Sequence, residues 1–201
     1  MFRFPFILWI ILLAYSASSQ VVNNGFRIIG QTEGLPAIGL NKIYESSDHF
    51  LWLSTQSGLF RFDGFRFVPY LSQSRDTTTL SSNAVTDLQE DHQGYLWAGT
   101  FGKGVCRLDR TTGKWKRYQR PTADANEFYW IFDLFRDHRG RLWMGTNGRG
   151  LLLYDEKKDL FRQFIPSPSK NTNGSVRFEN EVRSIAADIK DPDILWLAGT
   201  D

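Results

Sequence analysis

The side chains best suited to chemistry sit in three short turns: Gln56 in TQSG at 55–58, Phe101 and Lys103 in TFGKG at 100–104, and Asn147 and Arg149 in TNGRG at 146–150. Amides and cations suit the hydroxyls or carboxylates of a ligand, and an aromatic ring suits stacking, so these five are candidate ligand contacts. The competing reading is solvated turn residues. Other reactive groups point away from catalysis. Asp63, Asp109 and Asp155 recur at steps of 46 residues, each just after a short apolar run, where aspartate caps its own backbone instead of converging on a pocket as acid or base. His49, His92 and His138 fall in separate turns of separate repeats, too far apart to share coordination, so neither a metal nor a cofactor is expected. Cys106 is the only cysteine and takes the place that Phe60 and Leu152 hold in the flanking repeats. It reads as a small core residue, and no disulfide can form within the chain.

These turns belong to a repeat. Leu-Trp followed closely by Thr occurs as LWLST at 51–55, LWAGT at 96–100, LWMGT at 142–146 and LWLAGT at 195–200, with the tryptophans 45, 46 and 53 residues apart. Gly58, Gly104 and Gly150 keep the same register, and LFRF, VCRL and LLLY lie between each glycine and the aspartate that follows. Runs of four or five residues bounded by turn formers are too short for helices and read as strands. Further runs precede each Leu-Trp, at 41–45, 85–89, 131–135 and 182–186, and follow each aspartate, at 65–70, 115–119 and 161–165. Four antiparallel strands every 45 or so residues make the blade of a β-propeller, an all-β fold, with the tryptophans filling the gaps between blades. Blades are expected near 38–70, 83–119, 129–165 and 181–201.

Composition fits this fold and excludes some functions. Hydrophobic residues at 41% can build a core, whereas a net charge of +2 with no basic stripe makes no case for direct nucleic-acid binding. Residues 1–19 stand apart from the repeats. Arg3, an apolar stretch from Phe4 to Tyr15 broken by Pro5, and the small residues Ala17, Ser18 and Ser19 read as a signal peptide cleaved before Gln20. The run is shorter than the roughly 20 residues that span a bilayer. At the start of the repeats, Phe26-Arg27-Ile28-Ile29 resembles the outer strands FRFV and FRQF. It is expected to be an orphan strand that completes a last blade lying past residue 201. Three blades, half a blade and one strand cannot close a ring of roughly four to eight blades, so the expectation is an incomplete propeller from the front of a longer protein.

The motifs are specific enough to name a family. Gly34-Leu35-Pro36, GLFRFDGFRFVPY at 58–70, DHQGYLWAGT at 91–100 and DHRGRLWMGT at 137–146 resemble two-component regulator propeller repeats, and the likeness runs from about Phe26 to Asp201. SSDHF at 46–50 and DPD at 191–193 depart from the repeated turn. The resemblance implies an exported sensor on the periplasmic side of a bacterial inner membrane. It would take a small-molecule or oligosaccharide ligand and signal through a transmembrane helix and histidine kinase core that this chain lacks. It also implies a homodimer in the full-length protein, with membrane contact only through the later parts. The alternative is an exported propeller enzyme or adhesion-type binding protein without a kinase. A sialidase-like S-x-D-x-G-x-x-W turn is not met, because Asp91 and Gly94, like Asp137 and Gly140, are three residues apart. This segment is therefore expected to have no catalytic residues.

Overall fold

The computed structural model describes residues 28–36, 39–118, 130–164 and 181–199. The expected signal peptide, its cleavage point at Gln20, Phe26 and Arg27 of the expected closing strand, and nearly all of the loop after Pro166 lie outside the described residues. Ile28 and Ile29 belong to no strand.

The first repeat folds as β1 (Leu40–Glu45), β2 (Leu51–Thr55), β3 (Gly58–Phe62) and β4 (Phe67–Tyr70). The second gives β5 (Val85–Glu90), β6 (Leu96–Thr100), β7 (Val105–Asp109) and β8 (Lys114–Tyr118), and the third β9 (Ile131–Arg136), β10 (Leu142–Thr146), β11 (Leu151–Asp155) and β12 (Leu160–Phe164). β13 (Ser184–Ala187) and β14 (Leu195–Ala198) follow. Each quartet is an antiparallel sheet in chain order, and β13 pairs with β14 alone. β1 packs against β5, β5 against β9 and β9 against β13, so the first strand of each blade lies nearest a common axis and the fourth lies at the rim. This is the expected all-β architecture, an unclosed β-propeller.

Apolar runs fill the gaps between blades. Trp52, Leu59, Leu88 and Trp115 pack between the first two blades, Trp97, Leu134, Met144 and Phe161 between the second and third, and Trp143, Leu153 and Ile185 between the third blade and β13. Cys106 is buried in the first of these layers, where burial pushes its thiol pKa up. Trp196 departs from the expected gap-filling role. It is 62% exposed because no third strand or further blade covers β14 among the described residues. Ile43 is likewise 60% exposed, although its register equivalents Leu88 and Leu134 are buried against a preceding blade.

Three local devices explain why the repeat keeps its polar residues. In the turn between first and second strands, the Asp91 Oδ1 accepts the N–H groups of Gln93 and Tyr95 while its Oδ2 accepts the buried Trp97 indole N–H at 2.7 Å. Asp137 does the same for Arg139, Arg141 and Trp143, and Asp188 holds the Trp196 indole. The first repeat uses Ser46, whose hydroxyl accepts the Trp52 indole at 3.0 Å. His49 there adopts φ 62°, the left-handed conformation that Gly94 and Gly140 supply in the other repeats, which accounts for the departure of SSDHF from the pattern. Second, the threonine ending each Leu-Trp motif bonds across the next turn, from Thr55, Thr100 and Thr146 Oγ1 to the carbonyls of Gly58, Gly104 and Gly150. Third, Asp63, Asp109 and Asp155 cap the turns before the fourth strands through Oδ1. Across the second seam, Asp159 collects Lys116, the Tyr118 and Tyr154 hydroxyls and the Arg107 guanidinium. Burial would raise its pKa, but these donors hold it at about 2.

Candidate functional site

The loops between second and third strands open on the same face as the starts of the first strands, so residues from neighbouring blades meet there around the axis. The first strand of each four-stranded blade carries a one-residue bulge near its start, at Asn41, Thr86 and Phe132. A bulge turns its side chain out of the ladder, here toward the next blade. Asn41 Nδ2 donates to the Val85 carbonyl at 2.7 Å, and Thr86 Oγ1 donates to the Ile131 carbonyl at 2.6 Å. Phe132 has no polar group to offer, and the Arg183 guanidinium lies 4.9 Å from its ring centroid.

Next to the bulges of the second and third blades, the first loop residue is tied to the residue preceding the first strand of the same blade. Phe101 N–H donates to the Ala84 carbonyl and Asn147 N–H to the Trp130 carbonyl. The Phe101 ring crosses the seam and stacks on Trp130, with centroids 3.9 Å apart and an interplanar angle of 21°. Trp130 also meets Phe132 edge-on, at 6.2 Å and 85°. Of the five residues expected from sequence, the structure thus brings Phe101 and Asn147 to one tryptophan. Lys103 and Arg149 occupy the same position in the loops of adjacent blades, Lys103 exposed and Arg149 half-buried. Gln56 lies apart, on the loop of the first blade, where its Nε2 reaches Asn41 Oδ1 at 3.4 Å. Trp130, Phe132 and Arg183 were not expected. Trp130 stands outside the Leu-Trp register, and that irregular position was the available signal.

Below this face a buried carboxylate pairs with an exposed lysine. Asp87, 3% exposed, accepts the Leu134 N–H of the next blade at 2.8 Å and pairs with Lys42 of the preceding one at 2.9 Å. Asp133 repeats the first contact, accepting Ile185 N–H at 2.6 Å. Burial pushes the Asp87 carboxyl up to about 6, although the Leu134 amide and the Lys42 ammonium hold it back. The unfolded chain titrates this group near 3.9, so the native state binds the proton more tightly. The cost of the buried charge is then fully present above about pH 6 and is relieved as pH falls toward about 4. Asp87→Asn keeps an acceptor for the Leu134 amide and removes the titration. Stability of the wild type relative to this variant is expected to rise by about 2 kcal/mol between pH 6.5 and pH 4, read from urea midpoints across that range.

On the opposite face, the three histidines each meet a carboxylate: His49 with Glu45, His92 with Glu156 and His138 with Asp193. The last two pairs bridge neighbouring blades. Among the described residues no three His, Cys, Asp or Glu side chains come together as a metal site, and no helix is long and apolar enough to cross a membrane.

The geometry is that of a repeat propeller whose loop face gathers side chains from successive blades. The chain carries two-component regulator propeller repeats: the sequence model of the two component regulator propeller family matches residues 79–102 and 126–148. The first match takes in Leu80, a linker residue wholly buried between the first two blades, Asp91 and Trp97, and ends in the loop with Phe101. Two solved structures resemble the fold, both of an extracellular domain from B. thetaiotaomicron. One is assigned to a one component system, with TM-score 0.64 and 24% identity over 86% of this chain and 22% of that one. The other is assigned to a hybrid two component system, with TM-score 0.62 and 24% identity over 83% of this chain and 21% of that one. The chain therefore spans under a quarter of the length of the structures it matches. No curated protein matches it.

Proposed function

We propose that this chain is the exported sensing segment of a two-component regulator of the hybrid histidine kinase type. It lies on the periplasmic side of the inner membrane, binds a small ligand on its loop face and signals through parts of the regulator beyond these residues. The observation that carries this reading is the pair of family matches at 79–102 and 126–148, which fall on successive blades. Resemblance to extracellular domains assigned to one and two component systems supports it. The full-length regulator would act as a homodimer, with membrane contact confined to those other parts. The repeated carboxylates of the described blades hold turns and indoles, an arrangement that leaves them to structure and speaks for a binding module over an enzyme.

Alkaline phosphatase fused after residue 201 tests export. Active phosphatase is the expected result, and an inactive fusion whose cytoplasmic fluorescent-protein counterpart glows would overturn it. Signalling is tested separately in the full-length regulator. Deleting residues 79–148 in frame is expected to abolish ligand-dependent autophosphorylation while leaving the kinase able to accept phosphate from ATP under non-physiological activation. Unchanged ligand dependence would remove the sensing role.

A further inference from the structure

The second and third blades meet at a rim cluster that the first seam repeats on one side only. At the second seam, Arg107 and Tyr118 of the second blade reach across to Asp159 of the third, the guanidinium at 3.5 Å and the hydroxyl donating at 2.5 Å. Strand register makes Arg61 and Tyr70 their equivalents in the first blade. Trp97 pairs with Arg107 as Trp52 does with Arg61, and Val105 pairs with Tyr118 as Leu59 does with Tyr70. The two sets are also placed alike. Each guanidinium lies 4.4 Å from the centroid of the ring that precedes the second strand, Arg61 over Phe50 and Arg107 over Tyr95. Each tyrosine ring lies 5.1 Å from its tryptophan, Tyr70 from Trp52 and Tyr118 from Trp97.

The facing side differs. Asp159, at φ 51°, holds the place before the fourth strand that Gly113, at φ 69°, holds in the second blade. Both residues are left-handed, so the turn is kept and the carboxylate is not. Lys116 and Tyr154, the other donors to Asp159, likewise give way to Val68 and Leu108. Arg61 and Tyr70 therefore face the first seam as donors without the acceptor that their counterparts share. Among the described residues neither makes a hydrogen bond or an ion pair, and Arg61 Nε is buried. The indole N–H of Trp115, buried in the same seam at the place of Phe161, has no acceptor either. Asp48 and Glu90, the carboxylates that bridge this seam, are taken by Arg110. Buried donors cost stability unless an acceptor reaches them. A Cβ on Gly113 would meet nothing within 4 Å, which leaves room beside the turn where Asp159 carries its side chain.

We propose that the rim of the first seam binds a small carboxylate anion, which Arg61 and Tyr70 hold as Arg107 and Tyr118 hold Asp159. The guanidinium offers charge and a fork of N–H groups, and the hydroxyl adds a further donor. The bound anion then joins the first two blades as the Asp159 carboxylate joins the next two. Binding here is independent of export and of signalling.

Thermal melting of the full chain in sodium acetate and in sodium chloride at equal ionic strength tests the site. Replacing about 100 mM chloride by acetate is expected to raise the midpoint by about 3 °C. In Arg61→Gln and in Tyr70→Phe the rise is expected to shrink to about 1 °C or less, which separates the site from any general effect of acetate on the solvent. Gly113→Asp supplies the carboxylate from within the chain, at a turn position where Asp159 already adopts positive φ. It is expected to melt about 3 °C above Gly113→Asn, a variant of the same shape and backbone demand, and to lose the response to acetate. Where Arg61→Gln does not fold, the two Gly113 variants decide. Equal wild-type midpoints in the two salts, an acetate response that survives Arg61→Gln, or a Gly113→Asp variant that melts with Gly113→Asn and still responds to acetate would each overturn the site.

Discussion

Replacing Asp91 by alanine is expected to lower the stability of the propeller by about 3 kcal/mol, from the desolvation cost of one buried donor plus the loss of two turn hydrogen bonds. Asp91 is 5% exposed, and its two oxygens are divided between tasks. Oδ1 receives the Gln93 and Tyr95 amides that shape the turn, and Oδ2 receives the indole N–H of fully buried Trp97. The indole cannot turn to water because its ring is wedged against Tyr118, Tyr154 and Phe161. Asp91→Asn is expected to do little better. One of its two terminal atoms becomes an NH2 group, which must face either the indole N–H or the turn amides, donor against donor. Asp91→Ser is expected to be the mildest of the three, since Ser46 performs the indole half of this task in the first blade with one hydroxyl. Urea unfolding of the three variants checks the order, with serine most stable. If asparagine matched wild type, the division of labour between the two oxygens would be wrong.

That ordering shows what the sequence discloses and what it withholds. The strands were legible because an apolar run between a glycine and an aspartate has few ways to fold, and β3, β7 and β11 lie where LFRF, VCRL and LLLY stand. The aspartate caps of Asp63 and Asp109 were legible too, because an Asx turn is local. The partnership of Asp91 with Trp97 and of Asp137 with Trp143 was not read, although both pairs are six residues apart. Its geometry depends on a turn folding back onto the second strand, which spacing alone does not specify. At the loop face, the register put Phe101 and Asn147 on equivalent turns. Nothing in the register says that the Phe101 ring crosses to the next blade and finds Trp130, because contacts between blades depend on rotation about the axis, a quantity that no single repeat encodes.

The glycine of the Leu-Trp-x-Gly-Thr motif also takes its meaning from the neighbouring blade, and its replacement carries the other large expected effect. A Cβ on Gly145 would lie 2.5 Å from the Val182 carbonyl oxygen and 3.0 Å from the Val182 Cγ1. The chain entering β13 is held at that distance by the Val182 N–H donating to the Thr146 carbonyl at 2.9 Å, so it cannot retreat without losing the bond that docks it. Gly145→Ala is therefore expected to cost about 3 kcal/mol, the upper range for overpacking a close contact, and to loosen β13 and β14 first. At Gly99 the obstacle is of another kind: the Ile131 Cγ2 at 2.7 Å and Cβ at 3.0 Å, both side-chain atoms. Trimming the neighbour should then relieve one clash and not the other. Gly99→Ala combined with Ile131→Ala is expected to be less destabilised than the sum of the single changes by about 1 kcal/mol or more, whereas Gly145→Ala with Val182→Ala gains little, since a carbonyl survives any side-chain substitution. Double-mutant cycles by urea unfolding measure both couplings, with hydrogen exchange at the β13 amides reporting where the Gly145 variant opens. Equal rescue in the two cycles would mean that blades yield at their backbones, and the rigid docking of each first strand against the preceding motif would have to be given up.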